Sequence, residues 1–173
     1  MKTELVELPI TTGAGIFLAH YSEKGLAELD FPNTDGLVAP KHTTRGRAVS
    51  SKQVPLQILR WHRATTEALK NVLAGRAAAD LPPFDWSGKT DFQKSVWQAM
   101  LKISPGKTKS YGEIAEAIGK PKAVRAVGGA CGANPIPVLV PCHRVLAANK
   151  KIGGFSSGLH WKRSLLEAEG VRI

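Results

Sequence analysis

The chain has 173 residues, 43% of them hydrophobic, enough for one or two small domains with their own cores. Met1–Leu5 lacks the apolar stretch of a signal peptide, and no run approaches the roughly 20 apolar residues of a membrane span. Two cysteines are too few for a disulfide framework, so a soluble cytoplasmic protein with free thiols is expected.

The formal net charge of +10 is unevenly placed. Residues 1–88 carry 10 Lys+Arg against 9 Asp+Glu, and residues 89–173 carry 14 against 5. A charge gathered in one half is the footprint of a polyanion partner, and nucleic acid explains it better than a generally basic surface.

Along the first half, Leu5–Pro9, Ile16–Tyr21 and Leu26–Phe31 are short apolar-rich runs. The last two are joined by Ser22-Glu23-Lys24-Gly25, a hairpin signal. Residues 32–55 read as a long irregular connection. Pro55 then opens a helix in which Leu56, Leu59, Ala68, Leu69, Val72 and Leu73 form the apolar face and Gly75 marks the end. Leu81–Gly88 has the composition of a linker, which puts a domain boundary near residue 88.

The second half is more sharply punctuated. Thr90 with Gln93, and Ser110 with Glu113, fit two capping boxes. The first helix presents Phe92, Val96, Trp97 and Met100 on one face, and the second turns Ile114, Ala115 and Ile118 inward and stops at Gly119. Pro121 suits the first turn of a further helix over about Lys122–Cys131. The pair has the form of a helix-turn-helix. A last helix over Leu159–Ala168 is expected to bury Trp161, Leu165 and Leu166.

Four residues stand out for chemistry. Pro141-Cys142-His143-Arg144 follows the apolar run Ile136–Val140 and sets a thiol beside an imidazole and a guanidinium. Such neighbours lower a thiol pKa, which makes Cys142 a candidate nucleophile; the alternative is a structural cysteine in a tight turn. Glu169 would complete a Cys–His–Glu relay if it meets His143, and is otherwise an ordinary exposed carboxylate. Asn134 either caps a turn or orients the segment carrying Cys142, and Tyr111 either packs or offers a phenol to a substrate. The helix after Pro121 is made of small residues, Ala123, Ala126, Gly128, Gly129 and Ala130, with Arg125 as its one long cation. It is either a tightly packed core helix or a recognition helix lying in a DNA groove with Arg125 intruding. Cys131, Cys142, His143 and His160 lack the spacing of a zinc site, and Cys131 reads as an inert buried thiol.

Taken together, the second half resembles the O6-alkylguanine-DNA alkyltransferases, the methylated-DNA–protein-cysteine methyltransferases. The resemblance rests on Phe92-Gln93 with Val96-Trp97, Ser110–Ala115, Arg125–Gly128, Asn134-Pro135, Val140–Val145, Gly153-Gly154-Phe155, and Leu165-Leu166 with Glu169-Gly170. These blocks keep the family's order over about 80 residues. It implies an α+β fold: a small N-terminal α/β, ribonuclease H-like scaffold (1–88), then a mainly helical domain with a winged helix-turn-helix (89–173).

The resemblance also implies roles. Cys142 would accept an alkyl group, activated by His143 through a water, with Glu169 holding His143 and Asn134 bracing the turn. Tyr111 would face the lesion base. Arg125 would fill the gap left by the flipped nucleotide, with Ala123, Ala126 and Gly128 against the minor groove. Val145, Phe155 and Ser156 would line the base pocket. The family often has tyrosine where Phe155 stands, and a glycine-containing loop where Ala147–Ile152 stands. The implied partner is double-stranded DNA with alkylated bases, met by a monomer with no membrane and no cofactor, with cooperative loading on DNA left open. That partner would place it at the nucleoid, or in the nucleus of a eukaryote. A thioether product has no easy hydrolytic exit, so one molecule would repair one lesion. The competing readings are a helix-turn-helix binding module and a cysteine hydrolase acting through Cys142, His143 and Glu169.

Overall fold

The computed structural model describes residues 5–32 and 54–173; the connection expected over 32–55 lies almost wholly outside them. The three N-terminal apolar runs form an antiparallel sheet in the order β1 (Val6–Thr12), β2 (Gly15–Ser22), β3 (Gly25–Asp30). Alternation buries Phe17, Ala19 and Tyr21 of β2 on one face, as a half-covered sheet requires. The hairpin closes at Ser22↔Gly25 as the Gly-ending loop predicts.

Helix α1 (Leu56–Leu73) lies against this sheet; it buries Ala68, Leu69 and Val72 as expected, and departs from the expected face in its first turns. Ile58, Thr65, Ala68, Leu69 and Val72 are buried, whereas Leu56 is 66% and Leu59 41% exposed. Tertiary packing selects the stripe through Ile58 over the one through Leu56. Leu81–Gly88 does more than link. Leu26 donates its N–H to the Pro83 carbonyl at 2.8 Å, and Asp85 donates to the Leu26 carbonyl at 2.8 Å, so the segment lies along β3. Gly25, at φ 148°, permits this approach, because a Cβ there would collide with the Pro83 backbone.

Helices α2 (Asp91–Leu101) and α3 (Tyr111–Ala117) both begin with the complete capping boxes expected from Thr90/Gln93 and Ser110/Glu113. Helix α4 is Val124–Gly132, so Pro121 lies in the turn before it and not in its first turn. The α2–α4 packing is pinned by Trp97, whose indole N–H donates to the Ala130 carbonyl at 2.9 Å. A two-residue parallel pair, β4 (Lys109–Ser110) with β5 (Val145–Leu146), ties the start of α3 to the segment after Cys142. Helix α5 spans Leu159–Ala168, as the periodicity predicts.

One hydrophobic core runs from Phe17 and Tyr21 of the sheet through Trp97 and Met100 to Val140 and Cys142. No helix among the described residues is long and apolar enough to cross a membrane.

Candidate active site

The segment after α4 delivers Cys142 to its position through local hydrogen bonds. Asn134 is buried, donates from Nδ2 to the Val140 carbonyl at 2.8 Å and accepts the Ile136 N–H on Oδ1 at 3.0 Å. Its amide therefore clamps both ends of the loop Ile136–Val140, which is the bracing alternative and not a surface turn. Within the loop Val138 is buried at φ 74°, a conformation that costs a β-branched residue about 1–3 kcal/mol. The surrounding core and the Asn134 clamp hold it there. Cys142–Arg144 then forms a single 3-10 turn, with the Cys142 N–H on the Val140 carbonyl at 2.8 Å.

His143 points into the protein. Its Nε2 is 2.9 Å from Glu169 Oε1, and both side chains are fully buried. Glu169 caps the C-terminal end of α5, where the helix dipole disfavours a carboxylate, yet it is amply paired. Arg144 donates from Nε and Nη2 to Glu169 at 2.8–3.1 Å, and the Gly106 N–H donates to Oε2 at 3.1 Å. Burial opposes the Glu169 charge, but hydrogen bonds from His143 and Arg144 outweigh it and hold the carboxyl at about 2. Because Glu169 is ionised, His143 Nε2 must carry the proton it donates. Nδ1 is left as an acceptor, buried and without a partner among the described residues.

Arg144 is therefore not the cation beside the thiol. Its guanidinium is spent on Glu169 and on the Ile103 carbonyl, 2.6 Å from Nη1. The cation that lowers the Cys142 thiol is Lys162 of α5, which no sequence motif singles out. Lys162 is 0% exposed and donates from Nζ to the carbonyls of Val145 at 2.7 Å and Gly154 at 3.2 Å. A signal was present: Lys162, Leu165 and Leu166 fall at i, i+3, i+4, the buried stripe, whereas Trp161 is only half-buried.

Burial raises the Cys142 thiol above its ordinary value; the Asn134 side chain and Lys162 pull it down without cancelling that rise. Burial likewise lowers His143, against Glu169. Both shifts favour the neutral thiol and the neutral imidazole over the charged forms. Cys131, hydrogen-bonded to the Met100 sulfur at 3.6 Å, is pushed up to about 12 by burial, as suits an inert thiol.

Tyr111, the first residue of α3, is half-buried with its hydroxyl against the loop after β5; a Cβ on Gly153 would lie 3.0 Å from it. Burial raises its pKa, as do Cys131 and Cys142. Val145 is buried and Phe155 and Ser156 are half-buried on either side of the same loop. The Ala147–Ile152 segment makes its turn without glycine, with Asn149 at φ 57° and Lys150 at φ 58°.

Helix α4 presents the opposite character. Arg125, Ala126 and Gly129 are exposed, Ala123 and Gly128 partly so, and no atom within 4 Å would meet a Cβ on Gly128, Gly129 or Gly132. Gly128 and Gly129 are thus not demanded by internal packing and bare a helix surface, whereas Ala130 is buried in the core. Beside it Lys120 sits 5.5 Å above the Phe92 ring, and Lys120–Ala123 line a shallow apolar depression. Among the described residues no group of three or more His, Cys, Asp or Glu side chains is placed to hold a metal ion.

Residues 91–171 match the family model described as 6-O-methylguanine DNA methyltransferase, DNA binding domain. A methylated-DNA–protein-cysteine methyltransferase of Methanosarcina barkeri is 38% identical over 172 residues, 98% of this chain and 97% of its own. One of Mycobacterium bovis is 57% identical over 83 residues, 48% of this chain and 50% of its own, so that alignment spans about half the relative's length. The crystal structure of Mycobacterium tuberculosis OGT in complex with DNA superposes with a TM-score of 0.75 at 34% identity, over 95% of this chain and 92% of that one.

Proposed function

The chain belongs to the methylated-DNA–protein-cysteine methyltransferase family, and from that premise we propose that it repairs DNA by moving an alkyl group from guanine O6 to Cys142. The observation that carries this reading is the buried His143, held by Glu169 at 2.9 Å with Nδ1 left as an acceptor next in sequence to the thiol. In the proposed reaction His143 takes the Cys142 proton through a water, Glu169 stabilising the imidazolium. The thiolate attacks the saturated alkyl carbon in line; the S–C bond forms as the C–O6 bond breaks. Guanine leaves with that electron pair and takes up a proton, for which the Tyr111 phenol is placed to donate. Lys162 offsets the thiolate charge while it exists. The product is a thioether, so each molecule acts once. O4-alkylthymine, with the same kind of O–C bond, is a second candidate substrate.

The base must leave the helix to reach a buried thiol. In this reading α3, the turn through Pro121 and α4 form a helix-turn-helix, with Ala123, Ala126 and Gly128 close to the minor groove and Arg125 in the vacated stack. The β4–β5 pair and the following loop supply a wing, and Val145, Phe155 and Ser156 line the base pocket. Residues 1–88 act as a ribonuclease H-like scaffold for residues 89–173, and the protein works as a monomer on duplex DNA.

Mixing the protein with a duplex containing O6-methylguanine is expected to add one methyl group to the Cys142 peptide in a stoichiometric burst without turnover. Cys142→Ala should still bind the duplex and transfer nothing. Lesion binding with an unmodified Cys142 would indicate a binding module, and continued product release a hydrolase.

A further inference from the structure

The loop Gly153–Gly158 joins the thiol to the N-terminal sheet, and its anchorage is uneven. Towards the thiol it meets Tyr111 at Gly153, and Lys162 donates to the Gly154 carbonyl at 3.2 Å. Within the loop one backbone hydrogen bond is formed, Gly158 N–H to the Phe155 carbonyl at 3.1 Å. Gly153 at φ 69° and Gly158 at φ 104° flank residues with no regular structure, so the backbone alone holds the loop weakly.

Towards the N-terminal sheet the loop is held by a ring. Phe155 meets Phe31 edge to face, with centroids 6.0 Å apart and planes at 85°. Phe31 follows β3 and is itself locked in a triangle, 5.4 Å from Phe17 and 4.8 Å from Trp161, which are 5.8 Å from one another. Phe155 is packed against the core, and its contact with Phe31 joins the pocket loop to a rigid part of the N-terminal sheet.

We propose that Phe31 is a positioning residue for the base-binding loop Gly153–Gly158, acting through Phe155, and that this contact is how the N-terminal sheet serves the active site. The proposal rests on the alkyl-transfer reading for its consequence, though not for its geometry. An edge-to-face pair favours one loop pose by a factor of about 2–10, which sets the size of the effect.

The test uses the full chain and compares the parent with Phe31→Leu, Phe155→Leu and the double variant. Amide hydrogen exchange of residues 153–158 should speed up about fivefold in each variant, while β4, β5 and the Cys142 turn exchange as in the parent. Single-turnover transfer from an O6-methylguanine duplex should slow by a similar factor, and the double variant should be no slower than either single one. The rate and pH profile of Cys142 alkylation by iodoacetamide should not move. Unchanged exchange in Phe31→Leu, multiplying losses in the double variant, or a parallel fall in iodoacetamide reactivity would overturn the proposal. A parent that transfers no methyl group would defeat the activity reading, and the exchange data would still decide the positioning role.

Discussion

The surroundings of Cys142 and the outer face of α4 are built in opposite ways. Around Cys142 the buried polar groups are matched except for His143 Nδ1: Glu169 accepts from His143, Arg144 and Gly106, and Lys162 donates to Val145 and Gly154. On α4 no atom meets the places where Cβ atoms of Gly128 and Gly129 would stand, and among the described residues none pairs with Arg125. Proton transfer needs groups held at fixed distances and shielded from water, which buried hydrogen bonds supply. Close approach to a DNA groove needs a surface that keeps out of the way. One half-chain supplies both by turning one side of α4 inward, at Val127, Ala130 and Cys131, and leaving the other bare.

Removing the matching at the first region should have the largest effect. Glu169→Ala leaves Arg144 buried and unpaired and frees the His143 ring, so it should cost about 3–5 kcal/mol of stability. Chemical denaturation would measure this. A loss under 1 kcal/mol would mean that the centre is less tightly built than its distances indicate.

Next is acid. His143 is lowered in the folded protein, so below its unfolded value near 6.5 the unfolded chain binds more protons and stability falls. The Glu169 carboxylate, at about 2 in the fold, contributes fully above its unfolded value of about 4.3, and its share is lost as pH falls from there towards 2. That share is on the order of 3 kcal/mol. Thermal melting from pH 8 to pH 3 should therefore show a loss beginning near pH 6.5 in the parent, with the steeper part below about pH 4.5 reduced in Glu169→Ala.

Arg125→Ala should leave stability and iodoacetamide reactivity untouched while slowing repair of a duplex by about tenfold or more, a few kcal/mol being at stake when a base is unstacked. Repair of the same lesion in a single strand should change little. Equal rates on the duplex would remove Arg125 from the reaction and blur the contrast between the regions.

The smallest effect has the opposite sign. Gly129→Ala has room for its methyl group and should stabilise α4 by about 0.8–1 kcal/mol, read from the melting temperature. A bulkier Gly128→Leu should fold equally well and weaken DNA binding. If it binds as the parent does, the bare surface has another purpose.

Local rules made much of this legible. The capping boxes at Thr90 and Ser110, the hairpin at Ser22–Gly25 and the span of α5 follow from short-range hydrogen bonding and periodicity, and each is found where the residues place it. What failed depended on distant neighbours. The buried stripe of α1 runs through Ile58 and not Leu56 because the sheet chooses the face. Leu81–Gly88 looks like a linker until β3 offers it hydrogen bonds. Arg144 leaves Cys142 for a carboxylate 25 residues away, and Lys162 takes up the electrostatic role next to the thiol.

By itself the sequence determined the order of elements, the basic half and the family, because these depend on residue identity and short spacing. The tertiary structure decided that Lys162 is buried against the Val145 and Gly154 carbonyls and that burial raises the Cys142 thiol. It also decided that the glycines of α4 look outward and that Phe31 touches the pocket loop. Each of those depends on burial and on pairs distant in the chain, which no local pattern of residues encodes.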